Sequence, residues 1–191
     1  MKELVVATNN EHKLKEIRNI LKDYKILSLK DINFCNSILE DENTFEGNSL
    51  KKANIVSKYC SKNTIADDSG LCISLLNGEP GVFSARYSNE GTDDANIEKV
   101  LKKLNGKESS AKFISAITIV FTNGNHETFI GECKGKIILE KKGKYGFGYD
   151  PIFFVEKYKK TFAEMKDIEK NEISHRRKAL DKLKQYLENN L

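Results

Sequence analysis

The sequence predicts an α/β protein in which helices pack on a mixed β-sheet. Residues 4–8 and 24–29 are short apolar segments typical of buried strands, and residues 11–22 between them carry apolar side chains at helical spacing. A strand–helix–strand opening favours a parallel pair of strands. Farther along, residues 113–122 and 126–133 flank Asn123-Gly124, a dipeptide that supplies the positive φ angles of a tight hairpin turn. We therefore expect a sheet that begins parallel and continues antiparallel.

The helices are predicted from their caps and from the spacing of their apolar residues. Asn9 or Asn10 is a natural N-cap for the first helix. Further helices are expected over residues 46–60, after Thr92 or Asp93, and over residues 174–188. Thr161 and Glu164 have the spacing of a capping box.

The connections are predicted from glycines and polar residues. Residues 65–70 indicate the end of a strand followed by a turn, and residues 71–76 and 135–141 indicate further strands. Residues 143–148 contain three glycines and are expected to be a flexible segment. No linker, repeat or low-complexity stretch interrupts the sequence, so residues 1–191 are expected to form a single domain.

The composition excludes several classes of protein. The chain has 39% apolar and 31% charged residues, which argues against a disordered protein. It has no apolar run of the ~18 residues that cross a bilayer, and its first apolar segment is too short for a signal peptide. We therefore expect a cytoplasmic protein without a membrane partner, in which the four cysteines stay reduced.

The charge pattern does not favour nucleic-acid binding. The net charge is +4, and only four of the 32 basic residues are arginines. A protein that grips DNA is expected to be richer in arginine and to carry a clustered basic stripe. Nucleic acid is therefore not an expected partner.

Residues 8–13 form a polar turn between a strand and a helix. A helix N-terminus offers unpaired amides and a partial positive charge, which together suit a phosphate. Thr8 and Asn10 add hydrogen-bonding side chains, and Lys13 adds a full charge. The alternative is an ordinary capped helix with a solvated lysine.

Asp67-Asp68-Ser69-Gly70 places two carboxylates side by side. Their repulsion is tolerated where a cation or a proton sits between them. Mg²⁺ takes one or two carboxylates and completes its shell with water and phosphate oxygens, and Glu40 is a candidate for a further ligand. The alternative is a turn that uses Asp and Ser for its own backbone hydrogen bonds.

Two later segments carry side chains that suit a nucleotide base. Residues 147–151 read Phe-Gly-Tyr-Asp-Pro, and aromatic rings on a glycine-rich segment can stack on a flat base. Residues 174–177 read Ser-His-Arg-Arg at a helix start, where donors can reach an oxo group or a phosphate. The alternatives are core aromatics in the first segment and ordinary helix-start polarity in the second.

Taken together, these segments resemble the inosine triphosphate pyrophosphatase family, whose members remove deaminated purine nucleotides. Six matching segments run in order along nearly the whole chain. They are Thr8-x-Asn10-x-x-Lys13, Thr44-Phe45-x-x-Asn48 with Lys52-Ala53, residues 66–71, Pro80-Gly81 with residues 84–87, residues 147–153, and Ser174-His175-Arg176.

The resemblance implies hydrolysis of ITP, dITP and XTP to the monophosphate and pyrophosphate with Mg²⁺. It also implies a homodimer, and an elongated mixed sheet that divides two lobes with the nucleotide in the cleft between them. Asp68 and Lys52 would be catalytic, and Glu40 and Asp68 would hold the metal. Substrate-binding residues would be Thr8, Asn9, Asn10, Glu11, His12, Lys13, Ser69, Phe147, Gly148, Tyr149, Asp150, Lys170, His175 and Arg176.

Two positions depart from the family pattern, and two other functions stay open. His12 stands where many members have glycine, and the run Glu40-Asp41-Glu42 offers three carboxylates, of which the distance to Thr44-Phe45 favours Glu40. One alternative function is a related pyrophosphatase for pyrimidine or modified nucleotides. The other is a non-catalytic module that binds nucleotides or nucleic acid.

Overall fold

The computed structural model describes residues 2–190 and contains one mixed sheet of seven strands in the order β2-β1-β3-β4-β5-β6-β7. The strands are β1 (Lys2–Val6), β2 (Tyr24–Leu27), β3 (Thr64–Ile73), β4 (Ser109–Val120), β5 (His126–Ile137), β6 (Phe153–Val155) and β7 (Lys160–Thr161). Five α-helices accompany the sheet: α1 (Glu11–Ile20), α2 (Phe45–Cys60), α3 (Asp93–Leu104), α4 (Asp167–Ile173) and α5 (His175–Asn190).

The sheet is parallel at one end and antiparallel at the other. Strand β1 pairs in parallel with β2 and with β3, whereas β6 pairs antiparallel with both β5 and β7. Strands β4 and β5 are neighbours and are joined through the Asn123-Gly124 turn, in which Gly124 has a φ of +88°. The predicted α/β class, the parallel opening and the hairpin are confirmed.

The predicted helix caps are largely confirmed. Asn10 caps α1 and Thr92 caps α3, as expected, and Thr44, which was not predicted as a cap, caps α2; each accepts a hydrogen bond from an amide of the first turn. Thr161 and Glu164 form the predicted capping box. The short helix α4 was not predicted, because its seven residues carry no clear apolar stripe.

The chain divides into two compact units. The first unit comprises Met1–Asp68, Ser115–Gly131 and Arg176–Leu191, and the second comprises Ser69–Ile114 and Glu132–His175. In the first unit, α1 and α5 bury aliphatic side chains against strands: Leu14, Ile17 and Ile20 from α1, and Leu180, Leu183 and Leu187 from α5. In the second unit, α3 packs with the aromatic side chains of Phe113, Phe153 and Phe162.

Strand β3 corrects the prediction for residues 65–70. We expected a strand to end there in a turn, but β3 runs without interruption from Thr64 to Ile73. Gly70 lies inside the strand and does not break it. Because successive side chains of a strand point to opposite faces, Asp67 and Asp68 point away from each other. The two carboxylates therefore do not share one cation in the way that the sequence suggested.

The segment of residues 143–148 also differs from the prediction. The amides of Lys144 and Tyr145 both donate to the carbonyl oxygen of Ala163, at 2.9 Å each. A Cβ atom on Gly143 would lie 2.1 Å from the carbonyl carbon of Ala163. The glycine is therefore needed for a close approach of two backbone segments, and the segment is held in place by hydrogen bonds.

Replacing Gly143 by Ala is expected to destabilise the protein more than replacing Gly124. Both glycines have a φ of +88°, but a Cβ on Gly124 would meet nothing within 4 Å. Gly124→Ala should therefore cost only the backbone strain of about 1–2 kcal/mol, and Gly143→Ala should cost at least about 1 kcal/mol more. Urea unfolding of the two variants measures the difference, and equal losses would contradict the close approach.

Candidate active site

The N-terminus of α1 is ordered by the polar residues that precede it. The side-chain oxygen of Asn10 accepts a hydrogen bond of 3.0 Å from the Lys13 amide, and the Thr8 hydroxyl oxygen accepts one of 3.1 Å from the Asn10 amide. Asn9, Glu11 and His12 lie exposed in the same segment. The first amides of a helix lack intrahelical acceptors and form the positive end of its dipole, so this capped helix start suits an anion.

Asp67 holds two cations in the interior of the first unit. Lys13 Nζ lies 3.3 Å from Asp67 Oδ1, and Arg176 Nε donates to Asp67 Oδ2. Arg176 also donates from its Nη1 to Glu16 on α1. Asp67 is 0% exposed and Arg176 is 1% exposed, so these charges depend on one another and not on water.

Burial disfavours the charged forms of Lys13 and Arg176, and the neighbouring carboxylates offset this effect to different extents. Burial lowers the pKa of the Lys13 ammonium, and the repulsion from Lys52 and Arg176 lowers it further, although the Asp67 carboxylate opposes the change. Burial also disfavours the charged form of Arg176, but the carboxylates of Asp67 and Glu16 outweigh it and raise the pKa. Arg176 is therefore fixed as a cation, whereas Lys13 depends on its single carboxylate.

Asp68 faces a second group of side chains in the same unit. Lys52 Nζ lies 3.5 Å from Asp68 Oδ1 and also donates to a carboxylate oxygen of Glu40. The Asn48 side-chain amide donates to Asp68 Oδ2 at 3.1 Å. Burial raises the pKa of the Asp68 carboxyl, although Lys52 and Lys13 oppose the increase. Ser69 follows in β3 and is half-buried.

Glu40 and Asp68 have the chemistry of a site for a divalent cation. Both carboxylates contact the Lys52 ammonium, so they converge on one positive charge. Two carboxylates with room for water and phosphate oxygens make a donor set that suits Mg²⁺. Within residues 2–190, no group of three or more His, Cys, Asp or Glu side chains is placed to hold a metal ion, so a cation here would need further oxygens from water or phosphate.

From the sequence, Asn48 and Glu16 were assigned no role, and Asp67 was expected beside a cation without its partners being identified. Asn48 is fully buried and binds Asp68, Glu16 binds Arg176, and Asp67 binds both Lys13 and Arg176. Asn48 could have been found, because it lies one turn before Lys52 on the face of α2 that also buries Ser49. The pairs of Asp67 could not, because their members are 54 and 109 residues apart.

In the second unit, Asp150 joins the predicted base-binding residues. Its Oδ2 accepts a hydrogen bond of 2.6 Å from Lys170 Nζ and one of 3.0 Å from the Phe147 amide. Lys170 Nζ lies 4.8 Å from the centroid of the Phe147 ring. A Cβ on Gly146 would lie 1.9 Å from the same Asp150 oxygen, so this turn requires a glycine there.

Other predicted base-end residues have partners inside the second unit. The Tyr149 hydroxyl donates to the Ser84 carbonyl oxygen at 2.8 Å, and the Gly148 amide donates to Asp93 at 2.6 Å. The His175 ring stacks on Phe113 at 4.8 Å between centroids. These side chains are packed in the fold, and their contacts with a nucleotide stay a prediction.

Comparison with known proteins identifies the family. The model of the Ham1 family matches residues 4–186. The chain belongs to the Ham1 family. A relative in Clostridium perfringens (strain 13 / Type A), described as a dITP/XTP pyrophosphatase, is 49% identical, with 98% of each chain covered. A protein of the same description in Bacillus subtilis (strain 168) is 48% identical, again with 98% of each chain covered. The resemblance drawn from the six segments is confirmed.

Solved structures of the Ham1 family share the fold. The Ham1 protein of Staphylococcus aureus aligns with a TM-score of 0.90 at 40% identity over the full length of both chains. A HAM1 protein from Coxiella burnetii aligns with a TM-score of 0.91 at 38% identity, covering 99% of this chain and 100% of that one. As for membranes, none of the helices within residues 2–190 is both long and apolar enough to span a bilayer.

The buried pair of Asp150 and Lys170 is expected to be strongly coupled in this Ham1 chain. Asp150→Asn should lower the free energy of unfolding by about 2–4 kcal/mol, because it leaves a buried ammonium without its countercharge. Adding Lys170→Met should recover a large part of that loss. A double-mutant cycle by urea unfolding gives the coupling, and a coupling close to zero would remove this pair as the organiser of the turn.

Proposed function

We propose that this chain hydrolyses noncanonical purine nucleoside triphosphates, namely ITP, dITP and XTP, to the monophosphate and pyrophosphate. The proposal rests on one observation: the carboxylates of Glu40, which is partly buried, and Asp68, which is buried, share the Lys52 ammonium in the unit that also holds Lys13. Relatives that are described as dITP/XTP pyrophosphatases support this substrate class. The activity would keep deaminated purines out of DNA and RNA.

The phosphate chain is assigned to residues of the first unit, and Ser69, which the resemblance also assigns to the substrate, is the first residue of the second unit. A nucleoside triphosphate carries about four negative charges, which repel an attacking water molecule. Lys13 and Lys52 offset these charges and stabilise the pyrophosphate as it leaves. The start of α1 adds backbone amides and the positive end of the helix dipole.

Glu40 and Asp68 would hold a Mg²⁺ ion. When bound, this ion supplies positive charge to the phosphate oxygens and acidifies a water molecule. Asp68 orients the attacking water and accepts its proton. Because burial raises its pKa, the ionised Asp68 carboxylate takes up a proton more readily than an exposed carboxylate does. Asn48 holds the second oxygen of that carboxylate in place.

The nucleoside end is assigned to the second unit and to Arg176. Phe147 offers a ring for stacking on the purine, and Lys170 offers a donor that Asp150 holds beside that ring. Arg176 and His175 were assigned to the base from the sequence. Their contacts with the purine stay a prediction, as does the cleft between two lobes.

Two properties come only from the resemblance and from composition. The family implies a homodimer, and the four cysteines, expected to stay reduced, favour a cytoplasmic location. Both are part of the proposal. Size-exclusion chromatography with light scattering measures the first, and fluorescence of a tagged chain in cells locates the protein.

The proposed function is tested by the release of pyrophosphate from a panel of triphosphates. With Mg²⁺, ITP, dITP and XTP should be hydrolysed much faster than ATP, and chelation of the metal should abolish the reaction. Faster hydrolysis of pyrimidine or modified nucleotides would favour a related pyrophosphatase. Binding without turnover of any substrate would favour a non-catalytic module.

Asp68→Asn is expected to lower kcat for ITP by at least ~100-fold, because it removes both the proton acceptor and a metal ligand. The fold should survive, since the change is nearly isosteric and relieves the burial of a charge. Asp181→Asn is the matched control, because Asp181 is exposed and pairs with Arg177 on the surface of α5. Near-normal turnover in a folded Asp68→Asn protein would exclude Asp68 from the reaction.

Lys13→Ala and Lys52→Ala are each expected to lower kcat/KM by about 10²-fold, because they remove charge that stabilises the phosphate groups. The loss should be similar for ITP, dITP and XTP, since neither lysine is assigned to the base. Lys30→Ala serves as the control, because Lys30 is exposed and pairs with Glu11 at the start of α1. A strong change in base preference in either variant would place that lysine at the nucleoside end.

A further inference from the structure

Asp67 is the residue at which the cations of the first unit meet. Its two carboxylate oxygens take different partners, Lys13 on Oδ1 and Arg176 on Oδ2. Its backbone carbonyl oxygen accepts from Lys13 Nζ at 3.3 Å and from Lys52 Nζ at 3.0 Å. The resemblance assigned no role to this residue, although it contacts all three cationic side chains.

Lys13 is the partner that depends most on Asp67. Within residues 2–190, the Lys13 ammonium donates to no residue other than Asp67. Lys52 and Arg176 both repel it, and burial disfavours its charge. By contrast, Lys52 also has Glu40 and Asp68, and Arg176 also has Glu16. Loss of the Asp67 carboxylate would therefore leave Lys13 as the cation without a countercharge to hold it in place.

We infer that Asp67 is a positioning residue that holds Lys13 where the phosphate chain of the substrate binds. The inference rests on the proposed function for the nature of that ligand. Asp67 itself is buried and negatively charged, so it acts through Lys13 and not by touching an anion. The two neighbouring aspartates then have separate tasks: Asp68 serves the reaction, and Asp67 serves the binding of phosphate.

A positioning role for Asp67 predicts a change in anion binding opposite in sign to the change that simple electrostatics predicts for Asp67→Asn. Removing a carboxylate close to an anion site removes repulsion, so an aspartate that only contributes charge should strengthen anion binding when it becomes asparagine. Asp67→Asn should instead weaken binding. An asparagine has one acceptor oxygen where Asp67 has two, so either Lys13 or Arg176 must face the amide hydrogens.

The experiment measures the binding of inorganic tripolyphosphate by calorimetry in EDTA. This probe has no base and needs no metal. Asp67→Asn should weaken its binding by about 10-fold, as expected for the loss of one well-placed charge-assisted contact. Asp181→Asn is the control, because it removes the same charge from an exposed residue of α5 to which no role in the site is assigned, and it should leave binding unchanged. Unchanged or tighter binding in Asp67→Asn would overturn the inference, as would the failure of the wild-type protein to bind the probe.

A cycle with Lys13 separates positioning from general damage to the fold. Lys13→Met should also weaken tripolyphosphate binding by about 10-fold, and adding Asp67→Asn to it should cost less than about 2-fold more. The double variant removes one buried charge of each sign, so it keeps the test available if Asp67→Asn alone does not fold. A further loss of about 10-fold in the double variant would show that Asp67 acts independently of Lys13 and would overturn the inference.

The two proposals can fail separately. If the wild-type protein binds tripolyphosphate with the expected pattern but releases no pyrophosphate from ITP, only the proposed function is wrong. If ITP is hydrolysed but the losses of tripolyphosphate affinity in Asp67→Asn and Lys13→Met multiply in the double variant, only the positioning role is wrong.

Discussion

The guanidinium of Arg176 is almost fully excluded from solvent, and it is stable there because two carboxylates face it. Asp67 lies on β3 and Glu16 on α1, whereas Arg176 lies at the start of α5. A buried cation without such partners would cost several kcal/mol. This ion-pair group therefore connects a strand and two helices that are far apart in the sequence. It also fixes the N-terminal part of α1, from which Lys13 reaches the same carboxylate.

Most of the fold could be predicted because its signals are local. The apolar side chains of α1 and α5 recur at helical spacing, and Leu180, Leu183 and Leu187 of α5 are buried. Asn123-Gly124 and the Thr161–Glu164 capping box each specify a turn or a helix start within a few residues. Strand β3 was predicted wrongly because Gly70 and two aspartates resemble a turn locally, whereas sheet pairing and buried cations make them part of a strand.

Many residues of the candidate site could be predicted from the sequence, but their arrangement in space could not. The motif positions gave Lys13, Lys52 and Asp68, which lie in the same unit. The sequence could not show that Asp67 and Asp68 bind separate cations, because that depends on strand geometry and on residues far along the chain. Nor could it show that Gly143 serves a close backbone approach and Gly146 a close side-chain approach, since flexibility and tight turns both use glycine.

The alternation of side chains along β3 makes the length of this strand critical. Val5 and Val6 of β1 lie opposite Thr64 and Ile65. Because this pairing fixes the register of β3, it also fixes the face of the sheet on which each of Asp67 and Asp68 lies. An insertion or deletion of one residue between Ile65 and Asp67 would exchange the two faces. After a deletion, Asp68 would take the position that faces Lys13 and Ser69 the position beside Glu40, so the carboxylate there would be lost. After an insertion, Asp67 would lie beside Glu40 and would no longer face Lys13. Variation in chain length is therefore far more restricted here than in the surface turns, even where the inserted residue would itself suit a strand.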